Sequence, residues 1–156
     1  MIFKKVAHAY FSRKAKKMVE KSSFDGTLHR LEKPMNEWTV ALLTTAGVHL
    51  KTQPPFLVDA GDHSVRIIPS DIQTNKLMIT HTHYDTSDAE KDINVVFPID
   101  ILTDLASKGV IAKKARHFYG MMGYIPNTEP LLKESIPKII AQLKLDQVDV
   151  LLLSPG

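Results

Sequence analysis

Val148-Asp149-Val150-Leu151-Leu152-Leu153 is an almost unbroken apolar run, and Ser154-Pro155-Gly156 breaks it with a turn. A run this short, rich in aliphatic residues and bounded by Pro and Gly, reads as a buried strand. Thr39-Val40-Ala41-Leu42-Leu43-Thr44-Thr45 has the same character and stops at Ala46-Gly47. Between these two lie Val65-Arg66-Ile67-Ile68, closed by Pro69, and Leu77-Met78-Ile79-Thr80. Residues 116–119 read as a further strand, followed by the flexible-looking Gly120-Met121-Met122-Gly123, whose methionines read as gap-filling core or a mobile loop.

Helical spacing appears elsewhere. Pro98 suits a first helical position, Ile99, Ile101, Leu102 and Leu105 follow on one face, and Gly109 is the natural stop. Thr128 is expected to cap a second helix with Glu129 and Pro130 in its first turn. Leu132, Ile136, Ile139, Ile140 and Leu143 would form its core face, with a bend at Pro137. Short buried strands alternating with helices imply an α/β domain. The expected architecture is an open, mostly parallel sheet with helices on both faces, Rossmann- or flavodoxin-like and incomplete at its C-terminal side. In such sheets ligands bind just past the carboxyl ends of strands. A helix is expected after Gly156, and its N-terminus could support a nucleophile or an anion.

The 156 residues, 44% hydrophobic and 24% charged, suit one core and exclude a second full domain. The expected division is a basic helix and connector over 1–37, with the helix at 2–20, and the α/β domain over 38–156. No apolar run nears the roughly 20 residues that cross a bilayer. Residues 1–10 lack the apolar core of a secretory signal, so no membrane partner and a cytoplasmic location are expected. Cysteine is absent, which excludes disulfides, thiolate zinc sites and thiol catalysis within this chain. Lys4, Lys5, Arg13, Lys14, Lys16, Lys17 and Lys21 face only Glu20 in the first 21 residues. That run reads as a solvated helix. The remainder is mildly acidic, so nucleic acid is not an expected partner.

The densest chemistry lies in THTHYDTSDAEKDINVVFPID, residues 80–100. If extended, His81, His83 and Asp85 project from one face, a set suited to proton transfer or to a metal. His81-x-His83-x-Asp85 resembles the start of the zinc motif of metallo-β-lactamase-type hydrolases. That motif continues with a histidine where this chain has Thr86, and only His117 follows later. A metal-dependent hydrolase is therefore the alternative, and no metal ligand is assigned.

A wider pattern points elsewhere. Ala41-Leu42-Leu43-Thr44-Thr45-Ala46-Gly47-Val48-His49-Leu50-Lys51, Gly61-Asp62-His63-Ser64-Val65-Arg66-Ile67-Ile68-Pro69, Asp92-Ile93-Asn94-Val95-Val96-Phe97-Pro98-Ile99-Asp100 and Met122-Gly123-Tyr124 stand in that order. Together they resemble the selenoprotein B family of glycine, sarcosine, betaine and D-proline reductases over roughly residues 38–156. The short lead before the first block is more similar to the D-proline reductase subunit.

The resemblance implies reductive cleavage of a carbon–nitrogen bond. It implies a selenocysteine, or a cysteine, just after the turn at Gly156. It also implies a partner subunit carrying a pyruvoyl group, a thiol or selenol electron donor, and a small amine substrate. This chain is then expected to lack its redox residue through a stop-codon reading or a shortened gene product, and to be catalytically silent alone. Thr44, Thr45 and Gly47 after the first long strand are the expected substrate-side residues, and His81, His83 and Asp85 the supporting ones, all on the sheet edge of Gly156. A non-catalytic docking module is a further alternative, and an open sheet edge would favour self-association. Lone His49 and His117 read as structural, as does Asp92 as a helix cap.

Overall fold

The computed structural model describes residues 30–156. The expected helix at 2–20, the basic run and most of the connector lie outside the described residues. Lys33–Gly156 form one compact unit.

Its central strand is β1 (Thr39–Thr44), buried at every position. The sequence explains this: Val40, Ala41, Leu42 and Leu43 leave neither face polar, which suits a strand covered on both sides. The register sets Val40 opposite Val150 in β7 (Val150–Ser154) and continues in parallel to Thr44 opposite Ser154. Val40 also pairs with Lys114 of the two-residue strand β5 (Lys113–Lys114), and Leu43 with Tyr119 of β6 (His117–Gly120), both in parallel. A strand has two edges, so β5 and β6 share the edge opposite β7. β3 (Arg66–Pro69) closes the far side, antiparallel to β6.

The segment read as a third strand leaves this sheet. β4 (Leu77–Ile79) pairs antiparallel with β2 (Val48–Leu50), a strand missing from the sequence reading, to form a separate two-stranded ribbon. At three residues each, the two strands are too short for periodicity to reveal.

α1 spans Ser87–Lys91, α2 Ile99–Ser107 and α3 Ile136–Leu145. α2 lies where Pro98 and Gly109 predicted it. Gly109 adopts φ +67° and donates to the Ala106 carbonyl, a glycine stop. α2 buries Ile99 and Leu102, whereas Ile101 is exposed. A widened turn, Leu131–Ser135, precedes α3. Pro137 cannot donate a backbone hydrogen bond to the preceding turn, which fits the widening there. Among the described residues no side chain caps α3 or the widened turn before it: Thr128 takes the Leu132 N–H through its carbonyl at 3.0 Å, and the Asn127 side chain accepts from Glu129 N at 3.1 Å. Ile139 is buried, but Leu132 and Ile140 face solvent.

α2 leads away from β1 toward β5, and α3 leads from β6 to β7 in the opposite direction along the sheet. Right-handed crossovers place the two helices on opposite faces. The observed architecture is thus the expected α/β one. Fully buried Leu42, Ile68, Phe97, Ile99 and Phe118 sit in its core, each contributing about 1.5–3 kcal/mol by burial.

Two further expectations are corrected. The flexible reading of the stretch after β6 gives way: Met121 and Met122 are buried and Met121 bonds to Thr44 and Gly47, so of the two readings of this pair the gap-filling core holds and the mobile loop does not. β7 was expected to be buried, yet Leu152 is 40% and Leu153 65% exposed. Among the described residues β7 pairs only with β1, so its burial lacks a neighbour. Its start is anchored by Asp149, whose carboxylate accepts from Lys33 Nζ and Thr39 N, each at 2.8 Å. The Lys33 bond and then the Thr39 bond hold that carboxyl below its ordinary value.

Candidate functional site at the carboxyl end of β1

Three chain segments converge on the turn after β1. The buried Thr44 hydroxyl accepts from Ala46 N at 3.1 Å and starts the turn. Thr45 N donates to Ser154 O at the end of β7 (3.1 Å), and Gly47 N to Met121 O after β6 (2.8 Å). Thr80 N, just past β4, donates to Gly47 O (2.9 Å). Gly47 has φ +74°, and a Cβ there would lie 2.3 Å from the Thr80 carbonyl oxygen. Only glycine meets both demands.

The ribbon therefore delivers His81 to the edge where β1, β6 and β7 end, although its strands are outside the main sheet. His49 fixes the approach. It is fully buried, with Nδ1 2.8 Å from the Leu50 carbonyl and Nε2 2.8 Å from Thr80 Oγ1. A carbonyl only accepts, so Nδ1 carries the proton and Nε2 takes the Thr80 hydroxyl. Burial first of all lowers its pKa. This is the structural histidine expected from the sequence. His117 is likewise engaged, by Asp146 at 2.9 Å.

His81 Nδ1 accepts from His83 N at 3.1 Å. The proton of the neutral ring is then on Nε2, which faces Gly123: a Cβ on Gly123 would stand 3.6 Å from Nε2 and 3.3 Å from Thr45 O. Burial, and secondarily the charge of His83, lower the His81 pKa. The Tyr84 ring packs against His81 at 4.7 Å, and His83 stacks on Tyr124 at 4.3 Å. Tyr84 also donates its hydroxyl to Ala46 O at 3.1 Å. Burial raises the pKa of this phenol, so it stays a donor.

The last segment is the turn after β7. Gly156 N donates to Thr45 Oγ1 at 3.3 Å. A Cβ on Gly156 would lie 2.6 Å from Ala46 Cα and 3.1 Å from the Tyr84 ring. Thr45, Gly47, His81 and Gly156 are thus brought together. They meet just past the carboxyl ends of the parallel neighbours β1 and β7, the end of an open α/β sheet at which ligands bind.

Thr44 is near but occupied by its own turn. His83 is exposed and reaches the site through the His81 ring. Asp85 does not join it: the chain bends after His81 instead of staying extended, and Asp85 accepts from Ser87 N at 3.0 Å at the start of α1. Among the described residues no three of His, Cys, Asp and Glu come together to hold a metal ion, so the hydrolase set His81/His83/Asp85 is not assembled. Asp92 accepts from Asn94 N at 2.9 Å, the cap anticipated for it. Tyr84, Ala46 and Gly123 were missed by sequence reasoning. The available signal was Tyr84 itself, an aromatic between His83 and Asp85. A cavity of about 600 Å³ lies away from this edge, between the ribbon and α1. Asp92 and Asp100 in its lining are already bonded to Asn94.

The sequence model of the glycine/sarcosine/betaine reductase selenoprotein B family matches residues 1–155. The chain belongs to this family. The match takes in the N-terminal segment, beyond the blocks at 38–156. Over 124 residues the chain is 43% identical to D-proline reductase subunit gamma of Acetoanaerobium sticklandii, covering 80% of this chain and 51% of that one. It is 26% identical over 127 residues to glycine reductase complex component B subunit gamma of Carboxydothermus hydrogenoformans, covering 78% of this chain and 29% of the relative. The corresponding subunit of Peptoclostridium acidaminophilum is 25% identical over 130 residues. The chain therefore spans about half the length of the first relative and under a third of the others. No solved structure matches it. The stronger likeness to the D-proline reductase subunit agrees with the short lead noted in the sequence.

Proposed function

We propose that this chain is part of a selenoprotein-B-type subunit of an amine or amino-acid reductase that cleaves a carbon–nitrogen bond reductively. One observation carries the reading: in a member of this family, the turn after β7 packs against Thr45, Ala46 and Tyr84 beside His81, at the carboxyl ends of β1 and β7. A selenocysteine or cysteine following Gly156 would supply the nucleophile there.

The residues of this chain do the positioning. Thr45 holds the Gly156 amide, and its hydroxyl proton remains able to donate to substrate. Gly47 lets the ribbon approach, and Thr44 shapes the turn. His81, neutral and with its one proton at Nε2, offers a hydrogen bond to the nitrogen of the departing amine. His83 fixes the His81 tautomer through its backbone N–H, and Asp85 secures the segment by starting α1. A pyruvoyl-bearing partner subunit and a thiol or selenol donor complete the proposed cytoplasmic complex, acting on a small amine.

The gene tests the reading directly. An in-frame UGA after the Gly156 codon, followed by helix-coding sequence, supports it; any other stop codon sinks it. In the assembled reductase, His81→Ala is expected to lower kcat by roughly 10²–10³-fold, the range of a lost preorganised hydrogen-bond donor. Unchanged turnover with an intact fold removes His81 from the mechanism.

A further inference from the structure

The outer edge of β7 is built to receive another strand. Ser154 O accepts from Thr45 N, so in the parallel register Ser154, Leu152 and Val150 turn their peptide groups toward β1. Leu151 and Leu153 turn theirs outward, and β7 has no second strand neighbour among the described residues. Edge strands left permanently open usually carry a charge, a proline or a bulge. β7, Val150-Leu151-Leu152-Leu153-Ser154, carries none of these.

Its side chains tell the same story. Leu152 and Leu153, adjacent and therefore on opposite faces, are 40% and 65% exposed. A helix lying on one face would cover only one of them. Covering both takes a strand alongside with elements above and below it. A parallel strand beyond β7 continues the direction of the β6-to-β7 connection, so a right-handed crossover lays its helix on the α3 face. On α3, Ile140 is 46% and Leu145 76% exposed.

We propose that the free edge of β7 is a seam that takes a parallel strand, with its crossover helix, from polypeptide corresponding to the unmatched half of D-proline reductase subunit gamma. The relative is long enough to supply that occupant: this chain covers only 51% of it. The inference rests on the family membership and not on any activity, so it can fail while the reductase reading stands, and the reverse.

Hydrogen exchange resolved to single amides tests it, on this chain and on the intact Acetoanaerobium sticklandii subunit. In this chain the Leu151 and Leu153 amides should exchange freely while Val150 and Leu152 are protected by β1. In the relative, the amides aligned with Leu151 and Leu153 should be slower by about 100-fold or more, as for interior strands. Equal, fast exchange in both proteins overturns the proposal. Protection in this chain alone also overturns it: concentration-dependent protection assigns the edge to a second copy, and concentration-independent protection to another segment of the same chain. A second variant guards against a misfolded reading. Leu153→Glu should leave the melting temperature of this chain within experimental error, while glutamate at the aligned position of the relative lowers its own. No change in the relative overturns the seam.

Discussion

β1 and β7 lie side by side, run parallel and share an aliphatic composition, yet one is sealed and the other half open. Every residue of β1 is buried, whereas Leu152, the register partner of Leu42, is 40% exposed. The difference comes from neighbours and not from the strands. β1 has β5 and β6 on one edge and β7 on the other, with helices crossing both faces; among the described residues β7 has β1 alone. An apolar run specifies that a strand wants cover, and the sheet order decides whether it gets it.

The largest effect that could break this comparison is in the paired leucines. Leu42→Ala should cost about 2–5 kcal/mol, as for a large core truncation. Leu152→Ala should cost roughly 1 kcal/mol or less, as expected for a half-exposed site. Urea unfolding of both variants measures the gap. Equal losses would mean that β7 is covered in solution.

Next comes the turn that joins β1 to the ribbon. Gly47→Ala meets both the positive φ and the Thr80 carbonyl, and should cost about 2–3 kcal/mol. The same variant should raise the His81 pKa toward 6.5, the ordinary value, as the ribbon is pushed away and the ring gains solvent. Histidine titration by NMR reads this, and an unmoved His81 would break the link between the turn and the ribbon.

pH sharpens the comparison from the buried side. His49 and His81 both have folded pKa values below the ordinary 6.5, chiefly through burial. The unfolded chain therefore takes up protons first as pH falls below about 6.5, and stability rises with pH across that window. The melting temperature should be lower at pH 5 than at pH 7.5. A flat profile would mean that neither ring is held away from water.

The smallest effect belongs to the base of β7. Lys33→Ala removes the 2.8 Å pair with Asp149 but leaves Thr39 N on the carboxylate. A half-exposed pair of this kind should cost about 0.2–1 kcal/mol. Thermal unfolding would show it; a loss near that of Leu42→Ala would make this anchor, and not burial, the hold on the edge.

Much of this architecture was legible in the chain. The long apolar runs gave β1 and β7, and the Pro98-to-Gly109 bracket gave α2, because local chemistry alone sets such ends. Solvent exposure of Leu132, Ile140 and Leu153 was not legible, since it depends on which elements lie opposite. At the site, Gly47 and His81 stood out by residue type. Their meeting did not, because it depends on a ribbon of two three-residue strands. Asp85 was misplaced for a related reason: alternation implies one face only while the backbone stays extended, and here it bends into a helix start.

The tight seat of Gly156 has a practical consequence for reagents. Anything joined to its carbonyl, whether an affinity tag, a fluorophore or a fusion partner, begins its path beside Ala46, Tyr84 and the Thr45 hydroxyl. Such a label would both report on and crowd the meeting point of β1, β7 and the His81 segment. Lys108, an exposed side chain at the end of α2 and outside the residues that form this site, is the better point of attachment.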